Sequence, residues 1–249
     1  MKKNIVLIQA RSTSNRLPNK VIQEVSGEAL IERIYYIAQK SLLVNDVVVL
    51  TSNNKSDDLL CNLMTDKSIK FFRGDLDNVF IRFRDYLKRS DNDNDNFVRL
   101  TADCPLLDFK IIDQIIEQHS VENNDYTSTD HYNSFPLGQS VEVVNIDKFM
   151  SIDINKLSNT DLEHVTTYLW KNTNLFKCGY VRFNNPTKLD IKKVRLTVDE
   201  KEDLILIKEI INSLGYKKNK LPDLNEILNF LETNKELIEI NKDVKQIKV

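Results

Sequence analysis

Short apolar runs alternate with amphipathic segments through the first half of this chain, a pattern that predicts an α/β fold around a mostly parallel sheet. Ile5–Ile8, Val47–Thr51, Ile69–Phe72 and Phe97–Thr101 read as strands. Between them, Ala29–Ser41, Ser56–Met64, Val79–Lys88 and Asp108–His119 carry helical periodicity. Alternation at this spacing favours right-handed βαβ units. A second observation is Asp46–Leu50, DVVVL, whose near-continuous hydrophobicity suits a strand covered on both faces. The third is the polar loop after the first strand, which holds the cations Arg11, Arg16 and Lys20. A cationic loop at the carboxyl end of a first strand is where an open, Rossmann-like α/β sheet holds a phosphorylated ligand.

The pattern changes after about residue 125. Gln139–Val144 alternates like a strand, and Thr160–Trp170 reads as a helix that Asn159 or Thr160 can cap. Strands are expected near Lys177–Phe183 and Val194–Val198, then a helix over Glu200–Leu214 stopped by Gly215. Leu221–Leu237 gives a last amphipathic helix with Pro222 at its start. The polar run SDNDNDN, including Asn92–Asn96, reads as a surface loop. No repeat or linker divides the chain, so residues 1–249 form one domain, with an inserted arm near 130–180 and the C-terminal helix near 221–237.

Lys and Arg total 35 against 37 Asp and Glu, so no basic excess points to nucleic acid. The cations of the first loop suit one small polyanion instead. The apolar runs are far shorter than the roughly 20 residues a membrane helix needs. MKKNIVLIQA is broken by Gln9–Ala10–Arg11 before it resembles a signal sequence. Cys61, Cys104 and Cys178 are widely spaced and odd in number, which suggests neither disulfides nor a zinc cluster. A cytoplasmic home is expected.

Two further segments carry chemistry. In Val98–Asp108 an apolar strand runs into Asp103, and Pro105 ends the ladder before Asp108 opens a helix. In Val194–Asp203, Asp199 again ends an alternating run. Each Asp alone reads equally as a cap or turn former. As a pair facing a cationic loop, they suggest a hard-cation site for metal-assisted phosphoryl or nucleotidyl transfer. A nucleoside triphosphate carries about four negative charges, which Arg and Lys neutralise at its oxygens. Glu142, between Val141 and Val143, reads as solvent-facing or functional, and His164, beside Tyr168 and Trp170, as structural by default. His119 and His131 read as surface residues, and Tyr132, Phe135 and Trp170 as core aromatics.

The stretches IQARSTSNRLPNKVI, FRGDLDNVFIRF, RLTADCPLLD, FPLGQSVEVV, LEHVTTYLWKN and RLTVDEKEDL, in this order, resemble the cytidylyltransferase family that includes CMP-Kdo and CMP-sialic acid synthetases. The nearest branch is that of the spore-coat polysaccharide cytidylyltransferase-like proteins, which the tail LNEILNFLETNKELIEIN also resembles. The resemblance implies a nucleotide-diphospho-sugar transferase fold, with a mixed, mostly parallel sheet flanked by helices and an inserted dimerisation arm. It implies transfer of CMP from CTP to a sugar acid, with release of pyrophosphate, for surface glycan synthesis. By motif position Ala10, Arg11, Arg16 and Lys20 meet the nucleotide and its phosphates, with Arg11, Lys20 and Asp103 catalytic. Thr51, Ser52, Thr101 and Ala102 line the base and ribose pocket, and Gly74 and Asp75 approach base or acceptor. Asp103 and Asp199 carry Mg²⁺. Gln139, Glu142, Glu163 and His164 are acceptor-side candidates, and a homodimer is expected.

The chain departs from that pattern at Thr13 and Asn19, where the branch often has Gly, although Asn tolerates positive φ. Leu137 and Ser140 stand where relatives often carry acids, which leaves the acceptor open. Transfer to a sugar phosphate or phosphonate, and an inactive nucleotide-binding subunit, are the alternatives.

Overall fold

The computed structural model describes residues 2–14, 16–89 and 93–246. The chain opens with β1 (Asn4–Gln9), crosses the cationic loop to a small hairpin, β2 (Glu24–Val25) and β3 (Glu28–Ala29), and enters α1 (Leu30–Gln39). Next come β4 (Asp46–Ser52), α2 (Asp58–Asp66), β5 (Phe71–Gly74), α3 (Val79–Leu87), β6 (Asn96–Thr101) and α4 (Phe109–Glu122). β7 (Tyr126–Ser128), β8 (Glu142–Asn145) and α5 (Ile146–Met150) follow, then α6 (Asn159–His164), α7 (Thr167–Lys171) and β9 (Cys178–Tyr180). The C-terminal part consists of α8 (Lys201–Leu214), α9 (Leu224–Thr233) and a 3₁₀ segment, Lys235–Asn241.

The main sheet has seven strands in the order β5-β4-β1-β6-β8-β7-β9. β5, β4, β1 and β6 are parallel neighbours, β8 pairs antiparallel with β6 and β7, and β9 runs parallel to β7. β1 shows why these residues make a central strand. Val6 and Ile8 enter one apolar cluster with α1, α4, α8 and α9, while Ile5 and Leu7 enter the other with α3 and α5–α7. Both faces are covered, so hydrophobicity is continuous, as β1 and β4 predict.

The parallel strands deliver their carboxyl ends to one edge. Ala10 N donates to the Leu50 carbonyl at 3.1 Å and Ala102 N to that of Gln9 at 3.1 Å, so the ladders persist to the loops of the site. Caps fix the helix starts beside this edge. Asn78 Oδ1 accepts from Ile81 N at 2.9 Å before α3, and Asp108 from Lys110 N at 3.0 Å before α4. Asn19 adopts φ 57°, the Gly-like turn its side chain tolerates.

Several sequence expectations change. The strand expected at Ile69–Phe72 begins at Phe71, because Ile69 caps the α2 turn through its N–H to the Met64 carbonyl, 2.8 Å. The helix expected over Thr160–Trp170 is two helices, α6 and α7, broken at Val165. Val194–Val198 is no sheet strand: it is extended, but it meets a single bridging residue, Leu137, and the Asp103 carbonyl. Gly138, at φ +102°, permits that approach, since a Cβ there would lie 2.5 Å from the Leu196 carbonyl carbon. α9 begins at Leu224 with Asp223 as its cap, leaving Pro222 outside. Of the polar run, Ser90, Asp91 and Asn92 lie outside the described residues, whereas Asn96 is buried in β6 and bonds Asn4. Segment 130–180 contributes β8, β9 and one covering layer, α5–α7, to the main sheet. His119 is fully buried rather than superficial, with Nδ1 2.9 Å from Thr127 Oγ1. No helix among the described residues is long and apolar enough to cross a membrane.

Candidate active site

The loop after β1, the turn after β6 and the extended run before α8 converge on Lys20. Its Nζ lies 2.8 Å from Asp103 Oδ2, 2.9 Å from Asp199 Oδ1 and 2.9 Å from the Val198 carbonyl. The two strand-edge carboxylates therefore face one point, as their motif positions imply. Lys20 is nearly buried, which opposes its charge, but both carboxylates more than restore it and its pKa is raised. Burial likewise opposes ionisation of Asp103, yet Lys20 and hydrogen bonds from Thr101 and Cys104 hold its carboxyl below the ordinary value. Burial and the adjacent Asp103 push the Cys104 thiol far up, so it stays protonated and offers no nucleophile.

Asp199 is also gripped from behind. Arg16 Nη2 lies 3.0 Å from its Oδ1, and Arg195 Nη2 lies 2.6 Å from its Oδ2. Arg195 in turn meets Asp203 Oδ1 at 2.8 Å, and Asp203 Oδ2 accepts the backbone N–H groups of Asp199 and Glu200 at 2.9 and 3.0 Å. Thus Asp203 both opens α8 and fixes the loop that carries Asp199. Arg195 and Asp203 are absent from the sequence-derived site. Their signal was the spacing Arg195–Asp199, one helical turn apart within RLTVDEKEDL.

The nucleotide loop is braced from β4. Asp57 accepts Ser12 N at 2.7 Å and the Thr51 and Ser52 hydroxyls at 3.0 and 2.5 Å. Burial works against the Asp57 charge, but these donors hold its pKa below the usual carboxylate range. Thr51 and Ser52 are themselves fully buried, so their side chains support the loop from beneath. Ser12 Oγ is buried without a hydrogen-bond partner, a polar atom left for something the protein does not supply. Gly74 ends β5 where a Cβ would come within 2.7 Å of Arg82 Cγ, and Arg82 clasps the Asp75 and Leu76 carbonyls at 2.8 and 2.9 Å. Ala10, Thr101 and Ala102 stand on the same edge, with Ala10 and Ala102 buried.

A second charged cluster lies across the edge. Glu142 is buried and takes the Tyr126 and Thr166 hydroxyls on Oε1, each at 2.6 Å, and Arg99 Nη1 on Oε2. The Arg99 guanidinium also bonds Gln9 Oε1, at 2.9 Å from Nη2. Arg11 points the same way and reaches only Glu163, 3.9 Å away, with both side chains about half exposed. His164 stands near Arg99 and Arg11. Burial, with those two and Lys171, lowers its pKa against the opposing pull of Glu163. Gln139 is placed differently: both ends of its buried amide tie the post-β6 turn, donating to the Leu106 carbonyl at 2.7 Å and accepting from Asp108 N at 3.0 Å.

The donor set at Asp103 and Asp199 fits Mg²⁺. Two carboxylates and a carbonyl already surround one cation, the Lys20 ammonium, and Mg²⁺ completes its octahedron with phosphate oxygens and water. No group of three or more His, Cys, Asp or Glu side chains converges among the described residues, which also suits that ion.

A doubly covered, mostly parallel sheet with a cationic loop and paired carboxylates at its carboxyl edge defines a nucleotide-binding α/β protein. The cytidylyltransferase family profile matches residues 5–241, and the chain belongs to that family. It is 32% identical over 244 residues to an uncharacterised protein of Methanocaldococcus jannaschii, covering 98% of this chain and 96% of that one. It is 29% identical over 237 residues to the spore coat polysaccharide biosynthesis protein SpsF of Bacillus subtilis, covering 92% and 94%. A solved cytidylyltransferase from Leptospira borgpetersenii superposes with a TM-score of 0.85 at 25% identity, over 100% of both chains. A CMP:2-keto-3-deoxy-manno-octonic acid synthetase solved with CTP shares the fold, with a TM-score of 0.61 at 14% identity over 85% and 99%.

Proposed function

We propose that the protein is a Mg²⁺-dependent enzyme that transfers CMP from CTP to a hydroxyl of a sugar acid or related acceptor, for surface glycan synthesis. The convergence of Lys20 with Asp103 and Asp199 carries this reading. An acceptor oxygen forms a bond to the α-phosphorus and loses its proton. The α–β anhydride bond breaks, and its electron pair leaves with pyrophosphate. Arg11, Arg16 and Lys20 neutralise phosphate oxygens, and Lys20 trades carboxylate partners for them. The Asp57 brace holds the loop rigid, so its N–H groups and Ser12 are set before the nucleotide arrives. Asp103 and Asp199 would hold Mg²⁺, which when bound supplies charge neutralisation at the reacting phosphate. The protonated Cys104 takes no part as a nucleophile, in keeping with direct transfer.

Names among the relatives support the surface-polysaccharide setting: SpsF is called a spore coat polysaccharide biosynthesis protein. Segment 130–180 presents the exposed Tyr132, Ile154 and Leu175, which supports a homodimer through this region. Pyrophosphate release with CTP, UTP, ATP or GTP against sugar acids and sugar phosphates tests the reaction. Release with CTP and a sugar acid is expected. Absence of both turnover and CTP stabilisation overturns the enzyme reading, and monomers alone at micromolar concentration in sedimentation overturn the dimer.

A further inference from the structure

Arg99 is a costly residue to place where it lies. It sits in the middle of the sheet on β6, two residues before the edge, with its side chain 14% exposed. Its one carboxylate partner, Glu142, is already satisfied by Tyr126 and Thr166, so Arg99 does more than neutralise a buried acid. The contacts to Gln9 and Glu142 use only part of the guanidinium fork, and they fix its direction while leaving N–H donors over. Arg11 and His164 converge on the same space, and like charges gather stably only where an anion is to be received. The acids facing that space are Glu163, exposed beside Arg11, and Asp130, exposed and bonded to Ser140 at 2.5 Å.

The wall of this space is also strained. Val165, fully buried, adopts φ 57° and ψ −55°, with Thr166 N donating to the His164 carbonyl at 2.5 Å. That is a γ-turn of the rare hand, in a β-branched residue that disfavours positive φ. The strain is held by core packing of Val165 and by the Thr166 hydroxyl on Glu142. Backbone strain of this kind gathers at binding sites, where it sets side chains that an ordinary helix would direct elsewhere. Here it sets His164 and Thr166 on either side of the Arg99–Glu142 pair.

We propose that Arg99 binds the anionic group of the acceptor, a carboxylate or a phosphate, with Glu142 and Gln9 aiming its guanidinium and Arg11 and His164 flanking the bound group. This rests on the reading of the chain as a cytidylyltransferase. It adds that the acceptor is an anion and that a residue outside the nucleotide machinery selects it.

The test is equilibrium binding to the full-length protein, with CTP affinity measured separately. The probes are a 2-keto-3-deoxy sugar acid, its neutral methyl ester and a hexose 1-phosphate. The wild type is expected to bind one anionic probe at least roughly tenfold tighter than the ester, and which one binds names the acceptor anion. Arg99→Lys keeps the charge and the Glu142 pairing but loses the fork; it should weaken that probe roughly tenfold with CTP affinity unchanged. The double variant Arg99→Met, Glu142→Gln leaves no buried unpaired charge, and its loss should be larger still. Equal binding of ester and both anions, or unchanged binding in both variants, overturns the proposal. Failure of the wild type to bind CTP overturns the proposed function instead, and is read independently of the acceptor probes.

Discussion

Two charged clusters share the carboxyl edge of one sheet, yet they are built on opposite terms. Around Lys20, a single ammonium is divided between Asp103 and Asp199, so the acids hold a cation that can be exchanged. Around Glu142, the acid is closed off by Tyr126, Thr166 and Arg99, and exchange would strand a buried charge. The first cluster suits ligands that arrive with their own charges, a triphosphate and its metal. The second is a fixed frame whose spare capacity lies in the arginine, not in the acid. One sheet edge therefore carries a replaceable electrostatic site beside a preorganised one.

The largest expected effect breaks the first cluster at its centre. Asp103→Asn removes one of two carboxylates and should lower turnover by roughly a thousandfold, several kcal/mol of transition-state stabilisation, with the far-ultraviolet dichroism unchanged. Wild-type rates in that variant would sink the paired-carboxylate site. Lys20→Ala should raise the KM for CTP roughly ten- to a hundredfold, as expected for a lost hydrogen bond to a charged group. An unchanged KM would reduce Lys20 to a structural counterion.

A titration outside both clusters sharpens the contrast with a buried group that carries no function. Burial, with Lys2 opposing its charge, lowers the His119 pKa to about 4, below its unfolded value of about 6.5. Between those values the unfolded chain binds more protons, so the stability from His119 is full above about pH 6.5 and is lost as pH falls toward 4. The expected loss is up to roughly 3 kcal/mol, read by urea melts at pH 7 and pH 4.5. His119→Gln should flatten that slope, and a slope identical to wild type would exclude His119 as its source.

The smallest effect tests the frame of the second cluster. Val165→Gly removes buried apolar surface but relieves strain of about 1–3 kcal/mol, so net stability should change by less than about 1 kcal/mol. A Val→Gly change at an unstrained core position costs more, which calorimetry separates. A loss well above that would show that Val165 is held without strain.

Much of this architecture was legible along the chain. β1, β4 and β6 announce themselves because residues buried on both faces must be apolar at every position. The cationic loop, Asp103 and Asp199 were legible because each lies where an apolar run stops, and strand ends meet at one edge in this topology. The small strand β7 and the hairpin of β2 and β3 left little periodic trace, being two or three residues long. The run before Asp199 alternates like a strand, yet its partners are single residues of two other loops, information that no local pattern holds.

By itself, then, the sequence determined the layering of the sheet, the order of its βαβ units and the edge at which charge collects, since these follow from periodicity and from where it ends. The partners were decided only in three dimensions. Lys20 reaches Asp103 and Asp199 across 83 and 179 residues, Asp57 underpins Ser12 across 45, and Arg99 meets Glu142 across 43. Which charge faces which, and whether a buried acid is closed or open to exchange, depends on strand order and register, which bring together side chains that no spacing in the chain relates.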